Sequence, residues 1–175
     1  MKKLSLISLL LILASGTVPF TGHSAEIKTR FGTITYDSPD ALREFNHELY
    51  MGRLKSRINE SDTLEGEIKH KLEYIVRKVM LVLDMQIPKL DFQIVIHPSE
   101  DGVQADFNRL YGVEVNYIAF YSPSRNIVFY SAEDASIRVV AHEIGHVIAE
   151  HYFQVSPPSK IHEVMAQYAE KHVTD

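Results

Sequence analysis

Apolar residues recur along this chain with two periods, and the switches between them mark out the elements. From Ile27 to Tyr36 polar and apolar residues alternate around Gly32, which predicts a short strand or hairpin. Ser38-Pro39 then reads as an N-cap followed by a proline in the first turn, and Leu42, Phe45 and Leu49 carry a helix to about Lys55. Residues 56–63 are polar and loop-like. Leu64, Ile68, Leu72, Ile75, Val76, Val79 and Leu83 are spaced for one buried face of a longer helix, which ends before Pro88.

The second half changes period more often. Leu90 to Ile96 reads as a buried strand stopped by His97-Pro98, and Ser99 to Tyr111 as a helix with Val103, Phe107 and Leu110 on one side. Asn116 to Tyr121 and Asn126 to Ser131 are β-rich runs joined by Ser122-Pro123-Ser124-Arg125, a hairpin. Ser131 is placed to cap the next helix, which Pro157-Pro158 breaks. A last helix runs from about Ser159 to His172, with Ile161, Val164, Met165 and Tyr168 as its apolar stripe. Strands are few and helices many. The pattern predicts an α+β domain, a small mixed or antiparallel sheet packed on helices.

Met1-Lys2-Lys3, the apolar run Leu4–Leu13 and the small and polar residues ending in His23-Ser24-Ala25 have the order of a secretory signal peptide. That assigns residues 1–25 to a cleaved leader and residues 26–175 to one domain. The apolar run is too short to span a bilayer. The formal net charge of −5, two lysines of which belong to the leader, argues against nucleic acid or an anionic membrane as partner. An exported chain of this size with no cysteine fits a bacterial periplasmic or secreted protein better than a small disulfide-stapled module.

His142-Glu143-Ile144-Gly145-His146 is the segment that carries chemistry. It matches H-E-x-x-H, a zinc-peptidase pattern. Helical residues four apart lie one above the other, so two imidazoles reach one metal ion. Glu143 is offset beside the metal, where it can serve as general base toward a water. Val140, Ile144, Val147 and Ile148 fall on the opposite side, so the polar face is not a core face.

Two ligands leave a catalytic zinc one short of its usual three. His151 falls on the apolar side. Tyr152 stands where a metzincin would have its third histidine. Glu150, eight residues beyond His142, lies about 12 Å further along the helix axis and cannot converge with it. The ligand must come from another element, and Glu163 on the last helix is the best candidate, with His162 as its rival. Glu163, Gln167 and Glu170 share one polar side of that helix.

The H-E-x-x-H helix followed by a helix bearing a glutamate resembles the thermolysin-like zinc peptidases, the gluzincins. So does the preceding hairpin, Ala119-Phe120-Tyr121, a turn, then Ile127-Val128-Phe129-Tyr130. The likeness covers roughly residues 90–170, and is greater to the small peptidase-MA-like domains of that clan than to its larger members. It implies a zincin-like fold, Zn2+ held by His142, His146 and Glu163, Glu143 as base, and an extended peptide or protein substrate held along Ile118, Ala119, Phe120 and Tyr121 by strand addition. The family often has an aspartate four residues after the glutamate ligand; Gln167 stands here. Tyr117, His162 and His172 are unranked for stabilising an oxyanion.

The expected function is therefore zinc-dependent peptide hydrolysis in the bacterial envelope. The alternative is a catalytically silent, zinc-stabilised module that binds a peptide or envelope protein through its edge hairpin.

Overall fold

The computed structural model describes residues 25–175. The expected leader lies outside the described residues except for Ala25, the first residue of β1. The sheet has five strands, β1 (Ala25–Thr29), β2 (Gly32–Tyr36), β3 (Phe92–His97), β4 (Ala119–Ser122) and β5 (Ile127–Ser131), in the spatial order β1-β2-β3-β5-β4. It is mixed: β1/β2 and β4/β5 pair antiparallel as hairpins, while β2/β3 and β3/β5 pair in parallel. Each parallel pair needs a crossover. Helices α1 (Pro39–Glu48) and α2 (Leu64–Val82) supply the first, and α3 (Glu100–Tyr111) lies in the second. Helices α4 (Ile137–Tyr152) and α5 (Ser159–His172) close the chain. The molecule is α+β.

Period-two alternation sorts the strand residues between the two faces. Ile94 and Ile96 of β3, with Val128 and Tyr130 of β5, join the main core under α1, α2 and α4. Phe129 and Phe120 point the other way and pack with Val103 of α3. The Tyr130 hydroxyl, fully buried, donates to the Val140 carbonyl at 3.1 Å and so ties the sheet to α4. His97 ends β3 and bridges Asp37 through Nδ1 at 2.8 Å and Asp106 of α3 through Nε2 at 3.1 Å.

Three local expectations change. Helix α1 stops at Glu48, short of Lys55, because Leu49 leaves the helical region (ψ 60°) and buries its side chain; a 3-10 helix, Gly52–Arg57, follows. Ser131 does not cap α4. A 3-10 turn, Ala132–Asp134, intervenes, and Ser136 is the N-cap, accepting from the Val139 N–H.

The third change concerns α5. Ile161, Val164 and Tyr168 are about half exposed, at 48%, 57% and 51%, and the buried positions are His162, Ala166 and Ala169. The reason lies on α4, where Ala141, Gly145 and Ala149 make a stripe of small buried residues. Two helices meeting through small side chains approach closely. A Cβ on Gly145 would lie only 2.8 Å from the Ala166 Cα. Small residues rather than large apolar ones therefore set the face of α5 that packs.

Candidate metal centre

That packing determines what faces the two histidines. With Ala166 and Ala169 against Gly145, Glu163 and Glu170 lie along the flank of α5 beside His142 and His146. The Glu163 carboxylate bridges them: Oε1 is 3.7 Å from His142 Nε2, and Oε2 is 3.7 Å from His146 Nε2. The two rings are 5.1 Å apart, edge to face. His142, His146 and Glu163 each offer one donor atom, all within 4.8 Å of one another.

Donors at about 2.0–2.2 Å in a tetrahedral shell are roughly 3.3 Å apart, so three donor atoms within 4.8 Å of one another could hold a zinc ion after the side chains draw in. A donor set of two imidazoles and one carboxylate suits that metal.

Partners behind the donors fix their directions. His142 Nδ1 lies 3.1 Å from Glu170 Oε2, and the Gln167 amide donates to Glu163 Oε1 at 2.8 Å. Glu170 is a residue that sequence reasoning placed on the right side of α5 without giving it a role. The signal was its spacing: Glu163 and Glu170 are seven apart, two turns along one face.

Glu143 is buried beside the histidines. Burial, working against a backbone hydrogen bond from Tyr121 and reinforced by the charge of Glu163, pushes its carboxyl up to about 8. His146 is pushed down to about 4, first by burial and then by His142; Glu163 opposes this and His162 adds to it. Both groups thus favour their neutral forms when no cation is present.

His162 stands apart from the donor set. Its Nε2 lies 3.2 Å from Glu150 Oε2 and 3.2 Å from the Ser156 hydroxyl. His151 bonds the Val147 carbonyl through Nδ1 at 2.9 Å, and His172 bonds Asp175 at 2.6 Å. Tyr117 packs edge-on against Phe107, with ring centres 5.0 Å apart, at the rim.

A cleft of about 600 Å3 opens over this group, walled by β4 on one side and by α4 and α5 on the other. β4 is an edge strand. The Ile118 carbonyl accepts from the Ser131 N–H at 2.9 Å, and the Ser122 carbonyl from the Asn126 N–H at 2.8 Å. Backbone groups two residues apart point the same way. Phe120 therefore also faces β5, and the backbone of Ala119 and Tyr121 faces outward. Of the four residues expected to hold a peptide, Ile118 and Phe120 are committed to the hairpin, Ala119 turns its backbone outward, and the outward Tyr121 N–H is engaged by Glu143.

Among the described residues no helix is long and apolar enough to cross a membrane. No protein-family model, curated protein or solved structure matches this chain.

Proposed function

We propose that this chain is a zinc-dependent peptidase with a zincin-like domain of the gluzincin kind, exported to the bacterial envelope by the leader in residues 1–25. One observation carries the reading: a single carboxylate, Glu163, meets the Nε2 atoms of both motif histidines at 3.7 Å, with Glu143 buried alongside. His142, His146 and Glu163 would hold the ion. Zinc supplies Lewis-acid polarisation of a carbonyl and makes a water molecule easier to deprotonate.

The rest of the chemistry belongs to the chain. Glu143 accepts a proton from the attacking water, whose oxygen bonds to the peptide carbonyl carbon. The C–N bond then breaks, and the proton passes from Glu143 to the leaving amine. A cation held beside Glu143 would favour its ionised form, the form that accepts the proton. The outward backbone of Ala119, with the Tyr121 carbonyl, holds an extended peptide as a further strand on the sheet edge.

The test is Glu143→Gln. It keeps the shape and the donor set, so the variant should bind one zinc per chain while hydrolysis of a casein or peptide-pool substrate falls at least about 100-fold. Undiminished hydrolysis by the purified variant would sink the mechanism. Undiminished function of the variant in the cell would point instead to a zinc-stabilised module that binds its partner without cleaving it.

A further inference from the structure

The cleft contains a carboxylate that hydrolysis does not use. Glu150 lies on α4 one turn beyond His146, about 6 Å further along the axis, and lines the same cleft. Its direction is set. Oε2 accepts a hydrogen bond from the Ser156 hydroxyl at 2.7 Å and lies 3.2 Å from His162 Nε2. The hydroxyl orients the carboxylate without bringing a charge to it.

Apart from the imidazoles of His142, His146 and His162, no residue lining the cleft carries a basic side chain. Its lining includes neither lysine nor arginine, and Phe107, Tyr117 and Phe120 make one wall aromatic. Glu143 is buried, and Glu163 faces the imidazoles. The field of Glu150 crosses the opening: the phenol of Tyr121, on the opposite wall, is raised first by burial and then by the charge of Glu150. The Glu150 side chain is 26% exposed, so water screens it only in part.

Ser156 and His162 both meet Oε2, while Oε1 has no hydrogen-bond partner among the described residues. A carboxylate held this way, in a cleft with one aromatic wall and no lysine or arginine, selects for a positive charge on what enters. We propose that Glu150 is a specificity-determining residue that binds an ammonium or guanidinium group of the substrate, from a lysine or arginine side chain or from a free α-amine. This rests on the reading of the cleft as a peptidase site. An extended peptide rises about 3.3 Å per residue, so the 6 Å offset places the charge within about two residues of the bond that is cut.

The experiment separates this idea from the peptidase reading. Eight-residue fluorescent peptides carry one Lys, norleucine or Glu at successive positions, each with a free and an acetylated N-terminus. Binding is measured by anisotropy to zinc-loaded E143Q, which holds peptides without turning them over, and to E143Q/E150Q and E143Q/S156A. Turnover of the same peptides is measured with the wild type.

With E143Q, Lys should bind about five- to tenfold more tightly than norleucine at one position, and Glu most weakly. The ratio should drop below twofold in E143Q/E150Q at unchanged zinc stoichiometry, and fall in between in E143Q/S156A, where the carboxylate remains but loses its orientation. A free-over-acetylated preference that disappears with E150Q identifies the α-amine as the source; a side-chain preference identifies lysine. Ratios that E150Q leaves unchanged, or no charge preference in binding or turnover, would overturn the proposal alone. Charge-selective binding with no wild-type turnover would uphold the subsite and sink the peptidase reading. No binding and no turnover by any peptide would overturn both.

Discussion

His142 Nδ1 lies 3.1 Å from Glu170 Oε2, so the ring nitrogen that turns away from Glu163 is committed to a carboxylate. An Nδ1–H donated to Glu170 leaves the Nε2 lone pair for a metal and raises its basicity. The gluzincin resemblance places such support four residues after the glutamate ligand, where Gln167 instead donates to Glu163. On the proposed reading, Glu170, one turn further on, would give that support. Glu170→Ala should lower zinc affinity about 10- to 100-fold, measured by competition with a chromophoric chelator, and Glu163→Ala should lower it further. Equal affinities for Glu170→Ala and wild type would show that the contact does not support the donor.

The depth of the α4–α5 contact leads to a second expectation. Alanine at position 145 would gain roughly 1 kcal/mol of helix propensity. It would also force its Cβ against the Ala166 backbone, at 2.8 Å, and the Ala169 Cβ, at 3.3 Å. Overpacking of that kind costs about 1–3 kcal/mol, so Gly145→Ala should be destabilising by up to about 2 kcal/mol, seen as a lower urea midpoint. Because α5 also carries Glu163, zinc affinity should fall with it. A variant with both properties intact would show that the two helices separate freely.

Much of the fold was legible because most elements have a single dominant period. The hairpin around Gly32, helix α2, strand β3 and the hairpin ahead of the motif lie close to where alternation or helical spacing puts them. His142, His146 and Glu163 also come together; the four-residue spacing pairs the two histidines, but spacing alone left Glu163 and His162 both open. What failed was the face of α5. Hydrophobicity ranks Ile161, Val164 and Tyr168 above Ala166 and Ala169, yet close helix packing selects for small volume, and the larger residues are left outside. The stripe Ala141, Gly145 and Ala149 was a readable sign of this, had size been weighed beside polarity. Which backbone groups of β4 face the cleft depends on hairpin register, which apolar patterning alone leaves undetermined.

Buried Glu143 and partly buried His146 make the metal-free protein sensitive to pH in a window that can be worked out. Glu143 is raised from 4.5 to about 8, so between those values the folded state keeps a proton the unfolded chain gives up, and stability falls as pH rises. His146 is lowered from 6.5 to about 4, so between those values the unfolded chain takes up a proton the folded state refuses, and stability falls as pH drops. The two trends oppose each other from 4.5 to 6.5, and from 6.5 to about 8 only Glu143 acts. With chelator present, the urea midpoint should therefore decline over that upper window, and Glu143→Gln should flatten the decline. A cation beside both groups favours ionised Glu143 and neutral His146, so zinc should bind more tightly as pH rises. A flat midpoint in the wild type would refute the linkage.

The free edge of β4 can be tested at one atom. Ala119 pairs with Tyr130 across the hairpin, yet its own N–H faces outward, because the Ile118 carbonyl is the group turned toward β5. Proline is tolerated on an edge strand where the lost N–H faces away from the sheet. Ala119→Pro should therefore keep the fold and the zinc site while removing one donor from the peptide-binding edge. A hydrogen bond contributes about 1 kcal/mol net, so the KM for a peptide should rise about fivefold, with kcat changed less because Glu143 and the donors are untouched. Proline at Phe120 makes the contrast: its N–H faces β5, and its loss should unpair the hairpin and lower the urea midpoint as well. Equal effects of the two prolines on stability would mean that β4 presents no free edge. A KM unmoved by Ala119→Pro would mean that the substrate lies elsewhere in the cleft.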